Sequence, residues 1–475
     1  MSTDSNLGAR LRMVRRQQGL NQKELAEQIG ISPSYLNLIE NGKRPLSASV
    51  LIRLAQALSI DLASFGASDR ELEAYLGEVF GDPLFDEAGL TAADVRAFAV
   101  SSPAVGEAVM RLYRSWLEAR HRFDELSARV SGQVGPGTEL ATQPGEEVND
   151  FLQRHGNHFP DLEEAAQRLR RDARAHDDDR YQRLASWLET VHGVRVQWLA
   201  VEAAGDLLRR YDPERRILYL SQVLAPRSRH FQLAHQIALL QFPDLLDDLS
   251  EDPRLSGEDA RRLVRITLAS YFAGAVLMPY ADVLEEAERS RYDIERLGQR
   301  FRTSFEQVCH RLCTLRRPGA QGVPFHMMRV DIAGNISKRF SGSGIRFARF
   351  SGACPRWNVH SAFLTPGQIR TQVSVMEDHS VYFCIARTVQ KSGGWHQPQA
   401  LHAIGLGCDL RHARRLVYAD GVEVGDTSHA VPVGVTCRLC ERTGCLQRAF
   451  PLSSRRLEID ENSRRVNFYG GGSQE

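Results

Sequence analysis

No stretch of this chain approaches the roughly 20 consecutive apolar residues that cross a bilayer, which excludes a membrane-spanning protein as the expected class. The N-terminal MSTDSNLGARLRMVRRQ lacks the continuous apolar segment of a secretory signal. Eight cysteines in 475 residues, unevenly placed, are too few for a disulfide scaffold. These absences together predict a cytoplasmic chain with reduced thiols. Charge of one sign is lacking too: 60 Lys and Arg stand against 59 Asp and Glu, a net charge of +1, so any surface for a polyanion must be local. There is no repeat of fixed period and no low-complexity tract.

What is present is an ordinary globular composition, 42% hydrophobic and 25% charged. The length suggests roughly two to four folding units. In residues 6–62 apolar side chains recur at helical spacing: Leu7, Leu11 and Val14; Leu25 and Ile29; Leu36 and Ile39; Leu51, Leu54 and Leu58. Gly19, the Gly30-Ile31-Ser32-Pro33 step and Asn41-Gly42 break the pattern. Residues 91–130 also read as helical, an arm or dimerisation helix opened by Thr91 and Asp94 as a capping box. SGQVGPGTELATQPG, residues 131–145, has the composition of a linker.

Residues 146–317 read as mainly helical, interrupted by strand-like VRVQWL (194–199) and RILYLS (216–221), with Asp212-Pro213 as a turn between them. Beyond Pro318, β-branched and aromatic runs at 323–340, 344–350 and 371–391 alternate with glycines. The expected fold is therefore a mainly α N-terminal domain, then an α+β sensor region with a strand-rich C-terminal domain. The expected division is 1–66, a connector and linker over 67–145, 146–317 and 318–475.

The strongest motif runs from Asn21 to Gly42: helix, glycine turn, helix. Ala26 and Gly30 supply the small residues that two helices need where they cross through a tight turn. With Leu25, Ile29, Leu36 and Ile39 forming the core, Ser34, Tyr35, Asn37 and Asn41 are left on exposed positions. These side chains suit base edges and phosphates in a major groove. Ser32 opens that second helix, and Lys43 and Arg44 stand where backbone phosphates would be met. Through Leu62 there are eight Lys or Arg against five Asp or Glu, a local excess of three. The arrangement resembles the Xre/Cro-like helix-turn-helix family over residues 7–62. The resemblance implies that Gln22 anchors phosphate, that the helix from Ser34 to Asn41 reads bases in double-stranded operator DNA, and that the protein works as a homodimer or higher oligomer.

The segment from Phe231 to Gln241 resembles the helix of ImmA/IrrE-like zinc peptidases, whose motif is His-Glu-x-x-His. His235 fills the first position, but Gln236 stands for the glutamate and Leu239 for the second histidine. Zinc hydrolysis needs two imidazoles one turn apart and a carboxylate to deprotonate water. Residues 269–279 resemble the second helix of that family, with Thr267 and Ala269 where an acidic ligand would be sought. No catalytic residue is expected, and His235 reads as a hydrogen-bonded core histidine. The decayed cleft is expected to bind a ligand, with Arg227, Arg229, His230 and His235 as candidate contacts and a solvated basic turn as the plainer account of the first three.

Cys437, Cys440 and Cys445 place three thiols within nine residues, beside Arg438, Arg442 and Arg448. Cys-x-x-Cys brings two sulfurs to one centre, Gly444 permits the approach of a third, and the arginines are expected to lower the thiol pKa values. A 4Fe–4S cluster or zinc fits the donors, and Cys354, Cys384, Cys408, His429 or a small molecule are the candidates for a fourth ligand. Cys309 and Cys313 lie on an apolar helical pattern and read as core.

An Xre-like domain, a decayed peptidase-like middle and the ending from Cys437 to Pro451 together resemble the short-chain fatty acyl regulator family over nearly the whole chain. The resemblance implies an acyl-CoA effector, a transcriptional role in propionate and acetate catabolism, and an iron–sulfur cluster at the three cysteines. A working zinc peptidase acting on a repressor and an antitoxin-like DNA-binding module are the alternatives.

Overall fold

The computed structural model describes residues 15, 20–40, 44, 50 and 53–54, then 64–82, 84–85, 90–130, 144–175, 179–205, 207–347, 353–391, 400–437 and 440–452, and 462, 464, 466–467 and 469. Its packing divides into two units, one made of Met1–Thr138 with Pro451–Asp460 and the other of Glu139–Phe450 with Glu461–Glu475. Among the described residues no single helix is long and apolar enough to cross a membrane.

In the first unit, α1 (Gln22–Gln28) and α2 (Pro33–Glu40) enclose Leu25, Ala26, Ile29, Leu36 and Ile39, joined by Val50 and Leu54. Asn21 caps α1 in a box with Glu24, and the turn between the helices rests on Gly30 at φ +66°, where a side chain would be strained. Then come α3 (Ser64–Phe80), α4 (Ala92–Ser101) and α5 (Pro103–Val130). The expected Thr91–Asp94 box is present: Thr91 N donates to Asp94 at 3.0 Å and Asp94 N to Thr91 Oγ1 at 3.3 Å. The single helix expected over 91–130 is instead two, because Ser102-Pro103 breaks the backbone ladder. The linker expected at 131–145 lies almost wholly outside the described residues.

The second unit opens with α6 (Pro144–Arg154), α7 (Pro160–Asp172) and α8 (Arg180–His192). A three-stranded sheet follows, ordered β1 (Arg195–Leu199), β3 (Ile217–Ser221), β2 (Arg209–Asp212). The sequence pattern missed β2: Asp212-Pro213 closes a β2–β3 hairpin, while β1 pairs with β3 in parallel. After the short α9 (Val201–Ala204), the helices α10 (Pro226–Gln241), α11 (Pro243–Ser250) and α12 (Glu258–Leu277) form the centre. Helix α12, charged at its start and mostly buried over residues 268–277, packs against α6, α7, α10 and α11. After α13 (Tyr280–Arg289) and α14 (Ile294–Phe301) comes α15 (Phe305–Leu312), tied to α7 by a buried Glu163–Arg311 pair at 2.6 and 2.9 Å, with Tyr271 OH donating to Glu163 at 2.7 Å. Burial alone would raise the Glu163 pKa, but Arg311 and Tyr271 hold it below the usual range. Cys309 and Cys313 are buried, as expected of core residues.

A six-stranded sheet completes the unit, ordered β5 (Ile336–Ser341), β4 (His326–Asp331), β8 (Ala400–Asp409), β7 (Val381–Lys391), β6 (Arg370–Val375), β9 (Val431–Pro432). Strand residues alternate between two cores. Met327, Phe383, Ile385 and Ile404 join the helical core, which runs without a break from Val148 to Ala419 across the boundary expected at 317/318. Met328, Val330, Ala386 and Ala403 face a second cluster with Cys354, Trp357, Val359 and Val433. The pattern missed β8, whose Gly405 and Gly407 dilute its strand signal. Both leave space that neighbours use: a Cβ on Gly405 would meet Val359 Cγ1 at 2.5 Å, and one on Gly407 would meet His326 Nε2 at 2.5 Å.

Candidate functional site

The recognition helix α2 turns its polar edge outward. Ser34 and Asn37 are exposed, Tyr35 is half-buried, and Leu36 and Ile39 are fully covered. Ser32 acts as a cap, its hydroxyl accepting from Tyr35 N at 3.1 Å. Gln22 reaches across from α1: its amide donates to Glu40 at 2.7 Å and lies 3.4 Å from Asn37 Oδ1. The side chain expected to anchor phosphate thus also fixes the orientation of α2. Glu40 is buried and takes a two-point ion pair from Arg15, at 2.7 and 3.0 Å, which raises the Arg15 pKa. Helical spacing gave no hint of this pair, since periodicity marks apolar faces and not charge partners. Arg44 is exposed, whereas Asn41 and Lys43 lie outside the described residues.

On α10, His235 and Gln236 are buried. Arg209 of β2 donates to His235 Nδ1 at 2.5 Å, so a guanidinium occupies one side of the only imidazole the decayed motif retains. Burial and then Arg209 press the His235 pKa down to about 3, which keeps the ring neutral. Arg209 is itself lowered to about 10 by burial, and among the described residues no carboxylate pairs with it. A fixed cation beside the histidine opposes a second cation, the opposite of what a zinc site provides. Thr267 spends its hydroxyl on the Leu263 carbonyl at 2.8 Å, and Ala269 is in the core.

The other candidate contacts separate. Arg227 is exposed. Arg229 donates to the Leu224 carbonyl at 3.0 Å and stacks 4.6 Å over Trp198, which in turn stacks on Tyr181. His230 is lowered to about 4 by burial and then by Arg180 and Arg302. Trp198 and Arg209 both pair with Leu220, from opposite sides, so all three project from one face of the small sheet. Arg209 and Trp198 are the residues sequence reasoning missed. A basic and aromatic row beside a histidine helix was the available signal.

The cysteine loop is held by its arginines through the backbone. Arg448 donates to the carbonyls of Cys437, Cys440 and Arg442, and Arg442 donates to Val375 and Met376 at 3.0 and 2.8 Å. The expected lowering of thiol pKa does not hold at Cys440, which is pushed up to about 12 by burial and by Glu377, with Arg448 only a minor opposing influence. Arg438 lies outside the described residues. Of the fourth-ligand candidates, Cys384 and Cys408 belong to the sheet, where Cys384 Sγ faces His326 Nε2 at 3.6 Å. Cys354 instead lies within electrostatic reach of the loop: burial raises its pKa, and Cys437 and Cys445 add to the rise. Among the described residues no three His, Cys, Asp or Glu side chains are gathered in a metal-holding geometry. The donor types fit a thiolate-bound group: Cys437, Cys440 and Cys445 are free thiols, Cys354 feels Cys437 and Cys445, and Arg448 tethers the loop that carries them.

Residues 11–65 match the helix-turn-helix family, residues 189–313 the IrrE N-terminal-like domain, and residues 314–469 the short-chain fatty acyl coenzyme A regulator C-terminal domain. The chain is 39% identical over 469 residues to the HTH-type transcriptional regulator RamB of Mycobacterium tuberculosis, covering 98% of each chain. It is 40% identical over 462 residues to the HTH-type transcriptional regulator PrpR of the same organism, covering 96% of this chain and 94% of PrpR. It is 39% identical over 467 residues to the propionyl-CoA carboxylase regulator of Cereibacter sphaeroides, covering 96% of each. A solved Mycobacterium tuberculosis transcriptional regulator superposes with a TM-score of 0.65 at 42% identity, over 69% of this chain and all of that one. With a helix-turn-helix at its start, an IrrE-like middle and the regulator domain at its end, the chain belongs to the short-chain fatty acyl coenzyme A regulator family.

Proposed function

We propose that this protein is a sequence-specific DNA-binding transcriptional regulator of propionate or acetate catabolism whose second unit senses a short-chain acyl-CoA. The observation that carries the DNA-binding part is the outward polar edge of α2, with Ser34 and Asn37 exposed while Leu36 and Ile39 are covered. Names of the relatives support the metabolic part. A homodimer would set two such helices on half-sites about 34 Å apart. An effector changes operator affinity only by favouring one arrangement over the other, with couplings of about 1 to 3 kcal/mol as the usual scale.

Cys354, Cys437, Cys440 and Cys445 would hold a 4Fe–4S cluster or zinc. Such a group, when bound, would supply a cross-link that fixes the loop, and redox sensitivity in the case of iron–sulfur. A peptidase reading is not favoured, because Gln236 offers no carboxylate base, Leu239 no second imidazole, and Arg209 brings a cation to the one histidine left.

The test is operator binding by the full chain, purified anaerobically, with and without propionyl-CoA. Operator affinity that shifts at least fivefold with propionyl-CoA and not with propionate supports the reading. Affinity indifferent to every acyl-CoA removes the sensor, and absence of operator binding removes the regulator. Visible absorbance with iron and zinc analysis on the same preparation assigns the group at the cysteines.

A further inference from the structure

β2 is an outer strand of the three-stranded sheet, and among the described elements it packs chiefly against β3. Ser221 N donates to the Leu208 carbonyl at 3.1 Å, so the backbone of Leu208 faces β3. Backbone groups alternate along an antiparallel ladder, which turns those of Arg209 and Tyr211 toward the open edge. Such an edge is a template for one more strand. Leu207 and Leu208, which lead into it, are both exposed.

Arg209 stands at this edge with one side of its guanidinium in use. Nη1 serves the His235 ring at 2.5 Å and the Gln232 carbonyl at 3.5 Å. Nε and Nη2 make no hydrogen bond among the described residues, and neither is sealed from water. With its pKa at about 10 the side chain is charged at neutral pH, and no described carboxylate pairs with it. The arginines of the facing helix differ: on α12, Arg265 pairs with Asp247 at 2.9 Å and Arg262 with Glu258 at 3.2 Å. A guanidinium fixed on one side and open on the other presents the two parallel N–H donors that a carboxylate accepts.

The backbone of Ile266 on α12 meets the same imidazole. Leu263 and Ile266 are exposed there, at 37% and 47%, while Thr267 and Ser270 turn their hydroxyls onto carbonyls of their own helix, both at 2.8 Å. His235 is thus bordered by a basic strand edge on one side and an apolar helix face on the other.

We propose that the β2 edge docks an extended acidic segment of a partner protein, which adds as a strand beside β2 and sets one Glu or Asp carboxylate on Nε and Nη2 of Arg209. Main-chain hydrogen bonds to the edge supply affinity, and the carboxylate supplies selection. An apolar strand would cover the guanidinium without a counter-charge. His235 acts as a prop: its neutral ring accepts from Nη1 and so fixes the direction of the fork. This docking depends on neither the operator nor the acyl-CoA reading.

The test is fluorescence anisotropy on the full chain with two degenerate nonapeptide pools. Both carry Val, Ile or Thr at alternate positions, around a central Glu in one pool and a central Gln in the other. The wild type should bind the Glu pool about tenfold tighter, the usual scale for a hydrogen bond to a charged group. Arg209→Met should remove that preference, and Arg209→Lys, which keeps the charge without the fork, should retain only part of it. Tyr211→Pro removes an edge N–H and should weaken both pools, with thermal unfolding of each variant as the control for folding. Equal binding of the two pools by the wild type, or binding of neither, overturns the proposal whatever the variants do. A Glu preference that survives Arg209→Met places the carboxylate elsewhere and overturns it too. If N-acetylglutamate amide binds as tightly as the Glu pool, the occupant is a small carboxylate and the docked strand is wrong.

Discussion

The helix-turn-helix holds a buried arginine and the histidine helix meets a half-buried one from β2, and the two are used in opposite ways. Arg15 meets a carboxylate, Glu40, in a closed pair that leaves no charge over and the outer edge of α2 free for a partner. Arg209 meets a neutral histidine, and its charge stays within the fold. The first region keeps its chemistry on the surface above a finished core. The second keeps it within the fold, against a neutral imidazole. A motif match thus says little about function until the charge partner of its central residue is known.

The largest expected effect breaks the interior of the second unit. Arg311→Met leaves Glu163 buried with Tyr271 alone and should cost about 3 to 5 kcal/mol, read as a fall in the urea midpoint. Arg15→Met should cost less, because Arg311 also donates to the Met278 carbonyl and to Thr314, whereas Arg15 adds only the Leu20 carbonyl. Equal costs would show that the two buried pairs do the same work. Next, Asn37→Ala or Ser34→Ala should weaken operator binding by about 1 to 3 kcal/mol while stability stays within about 0.5 kcal/mol of wild type. Loss of stability without loss of binding would make that edge a packing surface.

Acid sharpens the contrast further. His235 and His326 are held near pKa 3 in the folded chain against about 6.5 when unfolded, so the unfolded state binds protons first as pH falls. Stability of the second unit should be full above about pH 6.5. It should then fall toward pH 4 by up to about 1.4 kcal/mol per pH unit for each histidine. Arg209→Met should reduce the part due to His235, since one of the two influences lowering its pKa is removed. An unchanged pH profile would show that burial alone sets it. The smallest effect is local: Ser32→Ala should cost about 1 kcal/mol through loss of the α2 cap, measured by thermal unfolding.

Much of this molecule was legible because apolar spacing reports local structure directly. The α1–α2 core, the Thr91 cap, β1 and β3 all follow from residues near one another in sequence. What was hidden depends on partners the pattern does not encode. β2 is only four residues long, and β8 carries glycines where its neighbours need room. The break at Pro103 was written in the sequence but outweighed by the long helical pattern around it. Arg209, 26 residues from His235, and Glu163, 148 residues from Arg311, come together only through the fold. At the cysteines the thiols were visible, and Cys354 stood as one of several equal candidates, singled out only by the influence of Cys437 and Cys445 on its thiol.

The two-sided sheet has an evolutionary consequence. Sliding any of its strands by one residue would exchange every side chain between the cores, so register is locked from both faces. Within that frame, positions 328, 330, 386 and 403 face the second cluster, whereas 327, 383, 385 and 404 belong to the helices. Substitutions can therefore accumulate along one parity of the strand residues while the other parity keeps the helical body intact.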